Sequence, residues 1–184
     1  MKTLEKSIAT ALVCGVLFTS CGGNRQAAPV EMGFVSADSL LVNIHKYVNT
    51  KVETEGFIAH VCGVDGMKMK LMSQSNEVVV VIPFDTESFD SSLGGKRIRV
   101  YGVVQEERID KSYIDAKAEE KTLLCHVDHA PCIDEKWVNA KIEAGIADSL
   151  SAQDIDTRRK KMEQQGRDYI SIVSVVCEKY EILN

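Results

Sequence analysis

The chain has 184 residues, 45% apolar, 27% charged and 6% aromatic, with 27 acidic against 22 basic side chains and a net charge of −5 at pH 7. That length and apolar content suffice for one hydrophobic core, and three prolines without low-complexity tracts exclude a collagen-like or disordered chain. The acidic balance makes nucleic acid an unlikely partner, because phosphate backbones are held by basic surfaces.

In chain order, the first feature is an export signal. Lys2 and Lys6 precede an apolar run from Ile8 to Phe18, the length of a secretory core and shorter than the roughly 18 residues a membrane span needs. The run closes on Leu17-Phe18-Thr19-Ser20-Cys21, which resembles the lipobox of bacterial lipoproteins, with Phe18 where leucine is usual. The resemblance implies removal of residues 1–20, acylation of Cys21 with chains such as palmitate, and a lipidated tether over 21–35. It places the protein in the envelope of a Gram-negative bacterium, anchored through Cys21, with the outer membrane as the expected site. An ordinary signal peptide that happens to contain a cysteine is the alternative. Several acyl chains anchor firmly, since each buried methylene contributes about 0.8 kcal/mol.

Ser36 caps an expected helix with Leu40, Leu41, Ile44 and Val48 on one face, ending near Asn49. From Lys51 the period changes to two, so Val52, Thr54, Gly56, Ile58, His60 and Cys62 share one face of a first barrel strand. A turn over Gly63–Gly66 leads to a second strand, with Met67, Met69 and Leu71 alternating with Lys68 and Lys70. Val78–Ile82 reads as a third, fully apolar strand, Asp85–Leu93 as a connector with a helical turn, and Lys96–Gln105 as a fourth. Gly56 and Gly102 at mid-strand suit the coiling that closes a small barrel.

Residues 106–166 lose the two-residue period. A helix is expected from Pro131 through Trp137, Ile142 and Ile146, and a second from a capping box at Ser151 and Asp154 to Gly166. The basic run Arg158–Lys161 reads as a solvated face. Tyr169–Ile182 returns to strand character. This order predicts a mainly β fold with α: a five-stranded OB-fold Greek-key barrel over residues 36–184, with an N-terminal helix and a helical insertion, 106–166, between strands four and five.

The run V-x-T-x-G-x-I-x-H-V-C-x-x-x-G-x-K from Val52 to Lys68 resembles the first hairpin of exported OB-fold lipoproteins related to tRNA-anti-like OB domains. Further likeness lies in Gly95–Arg108, in the C-x-x-E of Cys132 and Glu135, in Arg158–Tyr169 and in Lys179–Ile182, so it spans roughly residues 50–183. Val64 departs from the pattern, which often has a second histidine there, and Cys125 and Cys177 are additions. The resemblance implies fold and location and brings no reaction with it.

Chemistry-bearing residues concentrate in two places. His60 and Cys62 lie two apart on one strand, with Cα atoms about 6.6 Å apart on the same side. Cys125-His126-Val127-Asp128-His129-Ala130-Pro131-Cys132 packs four soft donors into eight residues, with Glu135 one helical turn further on. If the insertion folds back over the first strand, His60, Cys62, Cys132 and one of His129 or Glu135 converge, a donor set that suits zinc or copper(I). In an exported protein the same thiols equally suit disulfides, among Cys62, Cys125, Cys132 and Cys177, or free redox-active cysteines. His45 reads as surface and Cys177 as a small buried hydrophobe.

No nucleophile elbow, phosphate loop, H-E-x-x-H or C-x-x-C occurs. The expected function is therefore a non-enzymatic binding module with a ligand or envelope partner at the rim between the first strand and the insertion. A metal-handling or thiol-redox lipoprotein and a structural accessory subunit are the alternatives.

Overall fold

The computed structural model describes residues 30–85 and 87–184. Six strands, β1 (Val30–Phe34), β2 (Thr50–Val61), β3 (Met69–Met72), β4 (Val78–Pro83), β5 (Arg97–Asp110) and β6 (Tyr169–Leu183), form one mixed sheet in the order β1-β2-β3-β4-β6-β5. An additional antiparallel pairing of β2 with β5, from Lys51 opposite Val103 to Phe57 opposite Arg97, partly closes the sheet on itself. β4 runs parallel to β6 and β1 parallel to β2, while the other pairs are antiparallel. The signal segment and Cys21 lie outside the described residues. The tail of the expected tether, Val30–Phe34, is strand β1.

Among the described residues five α-helices, α1 (Ala37–Val42), α2 (Ile44–Tyr47), α3 (Lys111–Glu119), α4 (Glu135–Glu143) and α5 (Ala147–Gln165), and one 3-10 turn, Ser91–Leu93, accompany the sheet. Ser36 caps α1, its Oγ accepting the Ser39 amide at 3.2 Å. The single N-terminal helix read from the sequence is two pieces, broken at Asn43, whose backbone sits outside the helical region.

Two apolar clusters organise the packing. The first fills the inside of the curved sheet with Val52, Ile58, Leu71, Val79, Val81, Ile98, Val100, Val104 and Val175, covered by Leu40 and Ile44. The second lies on the other face, where Val80, Ile109, Ile170 and Ile172 meet Ile114 of α3 and Ile155 and Met162 of α5. The uninterrupted apolar run in β4 follows from this arrangement, since Val79 and Val81 point into the first cluster and Val80 into the second. The tight curvature depends on two glycines. A Cβ on Gly102 would stand 2.0 Å from the Val176 carbonyl oxygen, and one on Gly56 2.6 Å from that of Met72.

Three local expectations are corrected. β5 continues past Gln105 to Asp110 because Ile109 pairs with Ile170 and enters the second cluster, so the helical insertion starts at Lys111. Ser151 is not a helix cap: α5 begins at Ala147, and the buried Ser151 hydroxyl donates to the Thr122 carbonyl at 3.0 Å. Arg158 is no part of a solvated face, being 5% exposed.

Candidate functional site

The site forms where β2 ends under the insertion. Along β2 the register shifts between Ile58, opposite Leu71, and His60, opposite Lys70, leaving Ala59 as an extra residue. This bulge reverses the alternation read from the sequence. Val61, opposite Met69, enters the inner core, and His60 and Cys62 are left on the outer side. They still share a side with each other, as the spacing predicted.

The segment facing them is a short hairpin. Leu124 pairs with Pro131, the Cys125 amide donates to the Ala130 carbonyl at 2.7 Å, and the Cys132 amide to that of Leu123 at 2.9 Å. His129 turns the tip with a φ of 63°, its amide donating to the Cys125 carbonyl at 3.0 Å. Two contacts pin this hairpin to the sheet. Val127 is buried in the second cluster, and Asp128 forms an ion pair with Lys68. Burial opposes the charge on both partners, but each outweighs it for the other, holding Lys68 above and Asp128 below its ordinary pKa. Beyond the hairpin, Asp134 caps α4 by accepting the Trp137 amide at 3.0 Å, which aims Trp137 back toward β2.

Together these elements border a cleft of about 470 Å³ that is open to solvent on one side, within the usual volume range for small-molecule sites. His60, Cys62 and Val64 form one wall, Leu124, Cys125, His126, Val127 and Cys132 a second, and Ile133 just ahead of α4, Trp137 of α4 and Leu150, Gln153 and Asp154 of α5 the outer wall. The His60 and His126 rings meet edge to face with centroids 4.6 Å apart. Burial, followed by the charges of Lys70 and His60, lowers the His126 pKa, so this imidazole is neutral at pH 7. The Cys125 thiol is pushed up by burial, against the pull of the Val127 and Asp128 amides, and stays protonated.

Of the residues singled out from the sequence, His60, Cys62, Cys125 and Cys132 line this cavity, whereas His129 and Glu135 do not. His129 accepts a 2.7 Å hydrogen bond at Nδ1 from Arg158, and Glu135 lies exposed in the first turn of α4. Cys62, Cys125, Cys132 and Cys177 are all unpaired thiols, and Cys177, buried in the inner core, has its pKa raised to about 11 by that burial. Among the described residues no group of three or more His, Cys, Asp or Glu side chains is placed to hold one metal ion.

The sequence placed His126 among the soft donors of the 125–132 segment without bringing it into the converging set, and gave no role in the wall to Trp137 or Asp154. For Trp137 the signal was its spacing of one helical turn from Ile133, which lies just ahead of the α4 cap. No protein-family model, curated protein or solved structure matches the chain.

Proposed function

We propose that the chain is a lipid-anchored, non-enzymatic OB-fold module of the cell envelope that binds a small ligand in the cavity between the end of β2 and the helical insertion. The observation that carries this reading is the cavity itself, walled by apolar side chains with a few convergent polar groups. For the fold, support comes from the succession β2-β3-β4-β6-β5 with β2 paired back to β5 and β4 parallel to β6, the ring of neighbours a five-stranded Greek-key barrel requires. For the location, support comes from the lipobox-like stretch ending at Cys21.

The test is native mass spectrometry of the protein extracted from envelopes in mild detergent, beside an Ile133→Trp variant whose larger ring enters the cavity mouth. A small-molecule adduct present on the native chain and absent from the variant is expected. An identical spectrum for both would contradict the reading.

A second reading, thiol-redox chemistry, is favoured by one observation: Cys62, Cys125 and Cys132 are unpaired and line the same cavity. Counting free thiols and bound zinc or copper on the same sample separates the two. A disulfide among these three, or stoichiometric metal, would move the assignment to this second reading.

A further inference from the structure

Lys70 brings an uncompensated positive charge to one end of the cleft. It lies directly opposite His60 in the β2–β3 pairing, and side chains so opposed share a face with Cβ atoms about 4.5–5.5 Å apart. Among the described residues it forms neither an ion pair nor a side-chain hydrogen bond, whereas Lys68, two residues earlier, is committed to Asp128. Burial pushes the Lys70 pKa down. The one charge working the other way, a Cys125 thiolate, is absent at neutral pH because burial keeps that thiol protonated. The His126 ring meets that of His60 with centroids 4.6 Å apart, and there the Lys70 charge acts more strongly than the opposing charges of Asp154 and Asp128. The two carboxylates of the wall are engaged, Asp154 with the Arg158 guanidinium at 3.3 Å and Asp134 with the Trp137 amide at the start of α4. The cleft thus has an apolar body, formed by Leu124, Val127, Ile133, Trp137 and Leu150, and a polar end at His60, His126 and Gln153 that stands beside a cation without a counter-charge.

We propose that the cleft binds an apolar molecule with one anionic end, its apolar part against Trp137 and Leu150 and its anion at the imidazole end, where Lys70 is the counter-ion. The inference rests on the cleft being the ligand site. It goes beyond that reading by fixing the charge class of the ligand and the residue that reads it. A partly buried ammonium is costly without a partner, and an anion that meets it forms a charge-assisted hydrogen bond roughly twice as strong as a neutral one. The flexible four-carbon stem of a lysine lets the ammonium follow that anion.

Trp137 is the single tryptophan of the chain and stands in the cleft wall, so occupancy is read directly by energy transfer. The experiment titrates the full chain carrying Cys21→Ser with two probes. One is 8-anilino-1-naphthalenesulfonate, which carries one negative charge, and the other N-phenyl-1-naphthylamine, the same skeleton without it. Both are expected to quench Trp137, the sulfonate binding at least about tenfold more tightly. Lys70→Gln is expected to weaken the sulfonate about tenfold and to leave the neutral probe unchanged, which shows at the same time that the wall is intact. Lys70→Arg, which keeps the charge, is expected to retain the sulfonate. A sulfonate no tighter than the neutral probe on the native wall, or a preference that survives Lys70→Gln, would overturn the role of Lys70 while leaving the cleft as a ligand site. Loss of both probes together in Lys70→Gln would do the same, since it marks a structural role for that side chain. Failure of both probes to quench Trp137 in the native wall would remove the ligand site itself.

Discussion

His129 and Arg158 form the most consequential pair of single residues outside the cavity. One Arg158 terminal nitrogen donates to His129 Nδ1 at 2.7 Å and the other to the Asp154 carbonyl at 2.8 Å, while its Nε has no hydrogen-bond partner. Burial, reinforced by the charges of Arg158 and Lys161, lowers the His129 pKa from 6.5 to about 4. The sign follows from the depressed value. Above pH 6.5 neither the folded nor the unfolded chain binds this proton. Between 6.5 and about 4 the unfolded chain takes up a proton the folded one refuses. Stability should therefore fall across that window, by up to about 3 kcal/mol from this residue. Urea unfolding at pH 7 and pH 4.5 measures it, and His129→Gln, which keeps an acceptor for Arg158, should lose less stability than the native chain over the same interval. The sequence marked His129 as a soft donor but gave no sign of this role, because nothing within Arg158-Arg159-Lys160-Lys161 distinguishes the one side chain that turns inward.

Among the elements, the strands were the most legible, since the two-residue period of β2 and β3 and the apolar run of β4 follow from which faces are covered. The bulge at Ala59 was not legible, because an extra residue is defined only by the partner strand it is paired against. Neither was α3, whose only fully buried side chain is Ile114, too little to make a helical stripe. The insertion is docked by α3 and α5, whose Ile114, Ile155 and Met162 enter the second apolar cluster, while α4 has no buried residue at all. Ile155→Ala in α5 should accordingly cost about 2–5 kcal/mol. By amide hydrogen exchange the loss should appear first in α3, α5 and the 123–132 hairpin, with the β2–β5 pairing protected longer. Uniform loss across both regions would mean that the insertion and sheet unfold as one unit.

At the scale of the whole molecule, the described residues join a small curved sheet to short helices α1 and α2 over its inner core and to α3 and α5 over its other face. If Cys21 is acylated, Cys21→Ser should move the protein from the membrane fraction to the soluble envelope fraction, with thermal stability unchanged. Retention in the membrane fraction would point to another mode of attachment. Residue type drew attention to His60, Cys62 and Cys132, which do line one cavity, whereas the fourth member expected from the sequence, His129 or Glu135, lies outside it and Cys125 stands in the wall instead. The apolar wall of Leu124, Trp137 and Leu150 was not legible, because those side chains read equally well as ordinary core. If this wall holds a ligand, the thiols within it report its occupancy directly. The measurement is the rate of N-ethylmaleimide modification of each cysteine, resolved by peptide mass spectrometry, with and without saturating N-phenyl-1-naphthylamine. Cys62 and Cys132, both in the wall, are expected to be slowed together by the probe. Unchanged rates at both, under conditions where the probe is bound, would place the ligand elsewhere and contradict that expectation.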